Sequence, residues 1–223
     1  MKKFKAILFD LDGTLVDTAP DLAHVLNQLR IQEGKPLLPF SDIRSYASDG
    51  TRGLLQLSFG IEGNHPHFEI LREKFLQLYA SNINQYSVFF EGIENILSLL
   101  DKKKLPWGIV TNKYTHLTEK LLKELNIFDR TACIVCGDTL PECKPHPAPL
   151  IHAAKLLGVS PEACCYVGDH ERDIQAAKAA NMFSIAALYG YIHPETKPKL
   201  WQADAYIHSA QELLIKFVQK MWL

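Results

Sequence analysis

The sequence predicts an α/β protein: a Rossmann-like parallel sheet with a separate α-helical segment inserted after its first strand. Two observations carry this. Short apolar runs ending in polar or acidic residues recur along the chain with helical periodicities between them, the pattern of βαβ units. Residues 17–87 break that rhythm, because helical stripes follow one another there with no convincing strand-like run. A chain of 223 residues accommodates a larger domain and a smaller one.

The first run, residues 4–9, stops at Asp10-Leu11-Asp12-Gly13-Thr14 and reads as a buried strand of a parallel sheet. Thr18 and Asp21 have capping-box spacing, and Leu22, Val25, Leu26 and Leu29 form the stripe of the helix behind them. Further helices are predicted over 52–59 and over 67–82, the latter with Phe68, Leu71, Phe75 and Leu78 on one face. The insertion is therefore assigned to 17–87 and the core to 1–16 and 88–223. The core resumes with a helix on Ile93, Ile96, Leu97 and Leu100. Strand-like runs follow at 105–110, 132–136, 163–167 and 183–188. Between them lie helices on Leu117, Leu121, Leu122 and Leu125, then on Leu150, Ile151, Ala154 and Leu157 with Gly158 as the stop, then over 173–180 with Asn181 as terminator. Ser209 and Glu212 have capping-box spacing for the last helix.

Composition excludes several function classes. Lys plus Arg number 24 against 25 for Asp plus Glu, so no broad positive field addresses nucleic acid or an anionic membrane. No apolar stretch approaches the roughly 20 residues of a membrane-spanning helix. The basic start Met1-Lys2-Lys3 leads into an apolar segment that Asp10 and Asp12 interrupt at once, which points to a cytoplasmic protein. The five cysteines, an odd number, argue against a disulfide framework. Cys133 and Cys136 have CxxC spacing, yet no second pair accompanies them and they fall in a strand-like run. They are expected to be reduced core residues, as are Cys164 and Cys165.

The reactive groups gather at strand ends. Carboxylates are rarely buried without a partner, and ligands of open α/β sheets sit just beyond the carboxyl ends of the strands. Asp10 and Asp12, one residue apart, face the same side if the extended backbone continues. Their repulsion calls for a cation or a retained proton. Asp169 and Asp173 add two acids at another strand end. Acids without cysteine or histidine partners favour a hard cation, and Mg²⁺ suits such a set. Thr111 and Asn112 offer donors at the start of a helix, where anions are favoured. Lys144, in Cys143-Lys144-Pro145-His146-Pro147, is expected to be held by the neighbouring prolines.

In this order the residues resemble the haloacid dehalogenase superfamily of phosphatases. Asp10-Leu11-Asp12-Gly13-Thr14 matches the first motif, Thr111 the second, Lys144 the third, and Gly168-Asp169 with Asp173 the fourth. The insertion is similar to the family's helical cap. His146 stands where an Asp is frequent, and His170 follows Asp169; neither change removes a required group. The resemblance implies that Asp10 is a nucleophile forming an aspartyl-phosphate and that Asp12 is the general acid and base. It implies Mg²⁺ on Asp10, on the Asp12 carbonyl and on Asp169, with Asp173 supporting through Lys144 or water. It also places Thr111, Asn112 and Lys144 on the phosphoryl oxygens. Dehalogenases of the superfamily lack the second acid, since a halide leaves without a proton. Asp12 thus favours ester hydrolysis, with a phosphohexose mutase as an alternative needing both aspartates. A non-catalytic interaction protein on this fold would be expected to have lost one of these groups.

For the substrate, the chain resembles two groups. The cap segment Ser48-Asp49-Gly50-Thr51-Arg52-Gly53 corresponds to the substrate loop of phosphoglycolate phosphatases, with Gly50 and Arg52 as candidate cap contacts and Arg52 suited to a carboxylate. The segments 107–113 and 189–195, with Trp201 and Asp204, resemble N-acetylmuramic acid 6-phosphate phosphatases of cell-wall recycling. Both substrates are small phosphorylated metabolites bearing a carboxylate. The phosphoglycolate-like assignment is preferred. His65, His67 and His193 are expected to be loop or surface residues.

Overall fold

The computed structural model describes residues 3–216. Met1 and Lys2 of the basic start, and 217–223 of the segment assigned to the core, lie outside the described residues. Strand β1 (Ala6–Phe9) leads into a short β2 (Val16–Asp17). Four helices follow: α1 (Ala19–Gln32), α2 (Phe40–Arg44), α3 (Gly50–Phe59) and α4 (Phe68–Ser81). The chain returns through β3 (Val88–Phe89), antiparallel to β2, so one two-stranded ribbon carries both crossings to and from the helical layer. Beyond it come α5 (Ile93–Lys102), β4 (Trp107–Val110), α6 (Thr115–Glu124), β5 (Cys133–Val135), α7 (Ala148–Leu156), β6 (Cys164–Gly168), α8 (Glu171–Ala179), β7 (Phe183–Ala187), β8 (Ala205–Ile207) and α9 (Ala210–Lys216).

The main sheet has six strands in the order β5-β4-β1-β6-β7-β8, every neighbouring pair parallel. From β1 the chain builds outward through β4 and β5, then returns to the other side of β1 for β6, β7 and β8. The direction of winding therefore reverses between β1 and β6, and a ligand crevice opens at their carboxyl ends. Asp10 follows β1 and Asp169 follows β6, which puts both acids at this switch point.

Alternation along the strands fills two cores. Ile7, Phe9, Ile109, Cys165, Val167 and Ile185 face one layer with α5 and α6 residues such as Ile96 and Leu121. Ala6, Leu8, Val110, Cys133 and Tyr166 face the other with Leu150, Ala153 and Ala176. Cys133 and Cys136 are buried free thiols, and burial pushes Cys133 up to about 12, an environment of packing rather than thiolate chemistry. No helix among the described residues is long and apolar enough to cross a membrane.

Several local expectations need correction. The Thr18–Asp21 capping box does not form. Thr18 Oγ1 donates instead to Asp12 Oδ1 at 2.6 Å, and Asp21 accepts from Tyr86 N at 2.8 Å and from Ser87 N and Oγ at 3.2 and 2.5 Å. Asp21 thus ties α1 to the chain returning toward β3, a long-range role that displaced the local one. At Ser209 only half of the predicted box is present: Glu212 N donates to Ser209 Oγ, while the Glu212 carboxylate takes His208 N. The alternation that would put Asp10 and Asp12 on one side does not persist, since β1 ends at Phe9 and Asp12 bridges to Val16. The short α2 and β8 were not anticipated. β8 is three residues long and only partly buried, so its apolar signal is weak; it is held where Asp204 Oδ2 accepts from Ser184 N and Oγ, both at 2.8 Å.

Asp21 is buried and accepts from three donors of the returning chain, so Asp21→Ala is expected to destabilise the protein by about 2–3 kcal/mol in urea unfolding. A loss below about 0.5 kcal/mol would show that the stitch between α1 and β3 contributes nothing.

Candidate active site

The strand ends converge on one buried charge cluster. Lys144 enters from the loop before α7 through a cis Lys144–Pro145 bond. Its backbone is clamped by Asn112, whose amide donates to the Lys144 carbonyl at 2.9 Å and accepts from the Lys144 N–H at 3.0 Å. The ammonium then lies 2.8 Å from both Asp10 Oδ1 and Asp173 Oδ1, and donates to Tyr166 Oη at 2.8 Å and the Val110 carbonyl at 2.9 Å. Exposures of 4% for Asp10, 2% for Lys144, 1% for Asp169 and 0% for Asp173 place the whole cluster out of water.

Burial lowers the proton affinity of Lys144, but Asp10 and Asp173 outweigh it and hold the ammonium charged. Burial likewise pushes Asp173 up, and Lys144 with Arg172 overcomes it, so that carboxyl lies below the usual range. Asp10 fares differently. Burial raises it to about 7, against the pull of Lys144 and with Asp173 and Asp169 adding to the rise. Asp169 is raised by burial and by Asp173. The site thus holds more negative charge than its two buried cations balance.

The donor set fits a divalent ion. Carboxylate oxygens of Asp10, Asp169 and Asp173 lie within 4.8 Å of one another, all buried, and oxygen-only donors suit Mg²⁺. Asp173 is engaged on both oxygens, by Lys144 and by the His170 N–H at 3.0 Å, whereas the partners of Asp10 fall on Oδ1 alone. Backbone shape supports this close approach. Gly13 has φ +82°, and a Cβ there would come within 2.2 Å of Asp169 Oδ2. Asp169 is oriented by Thr14 Oγ1 at 3.2 Å, Tyr191 N at 2.9 Å and Ser48 Oγ at 2.8 Å.

Asp12 stands apart from this cluster. Lys113 Nζ pairs with its Oδ1 at 2.8 Å, and Thr18 Oγ1 donates to the same oxygen. Lys113 also donates to Tyr79 Oη at 2.9 Å and sits 4.5 Å from the centre of that ring, so a cap helix helps to hold it. Asp10, Asp12, Thr111, Asn112 and Lys113 border a cavity of about 570 Å³ whose cap side carries Phe68, Arg72, Phe75 and Tyr79. Gly50 and Arg52 also line it; Arg52 is exposed. A second cavity of about 320 Å³ lies beside Asp169, His170, Tyr191 and His193.

The structure therefore gathers Asp10, Lys144, Asp169 and Asp173 into one cluster and sets Asp10, Asp12, Thr111 and Asn112 on one cavity, so that Asp10 belongs to both, with two differences from the expected contacts. The Asn112 side chain is spent on the Lys144 backbone, and Lys144 is saturated by Asp10, Asp173, Tyr166 and Val110 and does not border the cavity. His193 packs edge-on against Tyr46 at 5.0 Å, half-buried at the second cavity. Sequence reasoning missed Lys113, Arg172, Tyr166 and Tyr191. The signal for the first two was position: Lys113 directly follows Thr111-Asn112, and Arg172 lies between Asp169 and Asp173.

A family model of haloacid dehalogenase-like hydrolases matches residues 7–187, and the chain belongs to that family. Its relatives narrow the class to phosphatases. The phosphoglycolate phosphatase of Xanthomonas campestris pv. campestris is 41% identical over 209 residues, 94% of each chain. The N-acetylmuramic acid 6-phosphate phosphatase of Pseudomonas putida is 37% identical over 211 residues, 95% of each. A solved structure from Haemophilus somnus, described as a predicted phosphoglycolate phosphatase, superposes with a TM-score of 0.85 at 27% identity, covering 97% of this chain and 99% of that one.

A carboxyl raised on folding holds its proton more tightly in the folded state. In metal-free protein the Asp10 contribution to stability is therefore present below about pH 4 and lost as pH rises through about 7. Added Mg²⁺ is expected to raise Tm, and to raise it more at about pH 8 than at about pH 5. Equal shifts at both pH values, measured by calorimetry, would remove Asp10 from the ligand set.

Proposed function

We propose that the protein is a magnesium-dependent phosphomonoesterase that forms an aspartyl-phosphate on Asp10 and acts on a small phosphorylated metabolite bearing a carboxylate. The observation that carries this reading is the placement of Asp10 and Asp12 on one cavity, each paired with a different lysine. The donors to Asp10, Leu11 N and Lys144 Nζ, both fall on Oδ1, as do those to Asp12. Each acid therefore offers Oδ2 to a ligand.

Asp10 Oδ2 attacks phosphorus, and the bond from phosphorus to the ester oxygen breaks. Asp12 gives its proton to the departing alkoxide. Water then attacks the aspartyl-phosphate, its proton passes to Asp12, and phosphate leaves with the Asp10 carboxylate restored. Thr111, whose Oγ1 is oriented by the Lys113 N–H at 3.1 Å, and the backbone N–H of Asn112, ahead of α6, are suited to the phosphoryl oxygens. Lys144 acts from behind, by holding Asp10 and Asp173. Magnesium held by Asp10, the Asp12 carbonyl and Asp169 would neutralise charge on the phosphoryl group. Closure of the cap over the cavity would exclude bulk water during the reaction.

The relatives from Xanthomonas campestris and Haemophilus somnus support a phosphoglycolate-like substrate, and the one from Pseudomonas putida supports a phosphorylated amino sugar. One observation favours the second reading, a phosphorylated amino sugar: a cavity of about 570 Å³ walled by Phe68, Phe75, Leu76 and Tyr79 is roomy for a two-carbon ester. Arg52 and Arg72 on its cap side supply partners for a carboxylate in either case.

Asp10→Asn is expected to abolish phosphate release. Asp12→Asn should lower kcat about a hundredfold or more for alkyl phosphates and much less for para-nitrophenyl phosphate, whose leaving group needs no proton. Equal losses on both esters would remove Asp12 as the acid. A comparison of kcat/KM for phosphoglycolate, N-acetylmuramic acid 6-phosphate and hexose phosphates assigns the substrate, and isomerisation without net phosphate release would instead indicate a mutase.

A further inference from the structure

The cap meets the core at the start of α8. Ser48, in the turn between α2 and α3, donates its hydroxyl to Asp169 Oδ2 at 2.8 Å, and its carbonyl accepts from Arg172 Nη2. Next to it, Asp49 Oδ1 lies 3.2 Å from His170 Nε2. The turn is shaped for this contact: Gly50 has φ 63° and ψ −159°, a region essentially closed to other residues. Ser48 and Asp49 are thereby presented to Asp169, His170 and Arg172, all on one short stretch of the core.

Arg172 differs from the buried Arg30. Arg30 spends its donors on structure, Nε on the Pro36 carbonyl at 2.6 Å and Nη1 on the Ser58 carbonyl and hydroxyl. Arg172 is half-buried as a residue, yet its Nε is shut off from water and has no acceptor. Buried donors in native structures have partners, so an unpaired one calls for a group that arrives from outside. Arg172 borders the same cavity as Asp10 and Asp12, and its charge acts on Asp173, Asp10, Asp169 and Asp49. One nitrogen of the guanidinium, Nη2, is committed to the cap, and the Nε–H is uncommitted.

We propose that Arg172 is a positioning residue that joins cap docking to ligand occupancy: one nitrogen fastens the Ser48 carbonyl, and the free Nε–H takes an oxygen of the bound phosphate group. The assignment rests on the phosphomonoesterase reading above. Because coupling is reciprocal, whatever phosphate gains from a docked cap, the docked cap gains from phosphate.

The test uses the full chain with Mg²⁺ and inorganic phosphate as the probe. Phosphate affinity is measured by calorimetric titration, and amide hydrogen exchange is followed over residues 46–50 with and without phosphate. In the unmodified protein, phosphate is expected to slow exchange in this segment. Arg172→Gln should weaken phosphate binding about tenfold, the loss of one charge-assisted hydrogen bond, and abolish the protection. Arg172→Lys keeps the charge but not the two fixed donor directions. It should hold phosphate within about threefold of the unmodified protein while still losing the protection, and it decides the matter if Arg172→Gln does not fold. Unchanged affinity and unchanged protection in the folded variants overturn the proposal and leave water as the Nε partner. Failure of the underlying reading shows elsewhere, as an unmodified protein that turns over no aryl phosphate.

Discussion

The structure depends on keeping one lysine and three carboxylates together in a place from which water is excluded. Taking each ion out of water costs several kcal/mol, and attraction within the cluster offsets that only when the geometry is good and the remaining donors and acceptors are filled. Much of the core is arranged to meet this condition. β4 contributes the Val110 carbonyl and, just beyond it, the Asn112 amide that grips Lys144 by its backbone. β6 contributes the Tyr166 hydroxyl, which donates to the Val110 carbonyl at 2.8 Å and lies 3.2 Å from Asp173 Oδ1. α8 contributes Asp173, which caps its own helix through the His170 N–H while holding Lys144. The parallel sheet brings these groups to one edge because its strands all end on the same side.

The same cluster reaches the cap through Tyr191. Its backbone N–H orients Asp169, while its hydroxyl accepts from Ala19 N at 2.8 Å and donates to Asp17 Oδ1 at 2.9 Å. Asp17 in turn receives Arg44 Nη1 at 2.8 Å on both oxygens, and that guanidinium lies over the Tyr191 ring at 5.1 Å. The residue that fixes Asp169 therefore also fixes the ribbon through which the chain enters the cap. Together with Ser48 and Arg172, this gives the cap two points of attachment to the acid at the end of β6, one at the hinge and one at the docking turn.

What was legible in the sequence follows from this division. Asp10, Asp12, Lys144, Asp169 and Asp173 could be found because charged groups at the ends of apolar strands have no packing explanation, and the order of strands dictates where those ends lie. The β-rich half of the chain was readable for the same reason. Thr18 and Asp21 misled because capping-box spacing is a local signal, and partners distant in sequence, Asp12 for one and Ser87 for the other, outcompeted it. Tyr166, Tyr191 and Ser48 could not be found. A tyrosine in a strand reads as core, and only the fold reveals that its hydroxyl completes the coordination of a buried lysine. Lys113 and Arg172 lay inside the recognised stretches, but their significance comes from which carboxylate each one faces.

That pairing gives two aspartates one residue apart different surroundings. Asp10 shares Lys144 with Asp173 and lies near Asp169, so a single ammonium serves several acids and Asp10 retains unbalanced charge. Asp12 has Lys113 to itself among the lysines, and Lys113 is held charged because Asp12 outweighs its burial. Lys113 is steadied from the cap by Tyr79 and Asp12 by Thr18, at the cap's first turn. Lys144 has only core partners. The surroundings of Asp12 are therefore assembled jointly with the cap, while those of Asp10 belong to the sheet. A cap that moved away would leave Asp10 and its lysine in place and withdraw the supports of Asp12, so that on the proposed reading proton delivery is tied to the docked cap.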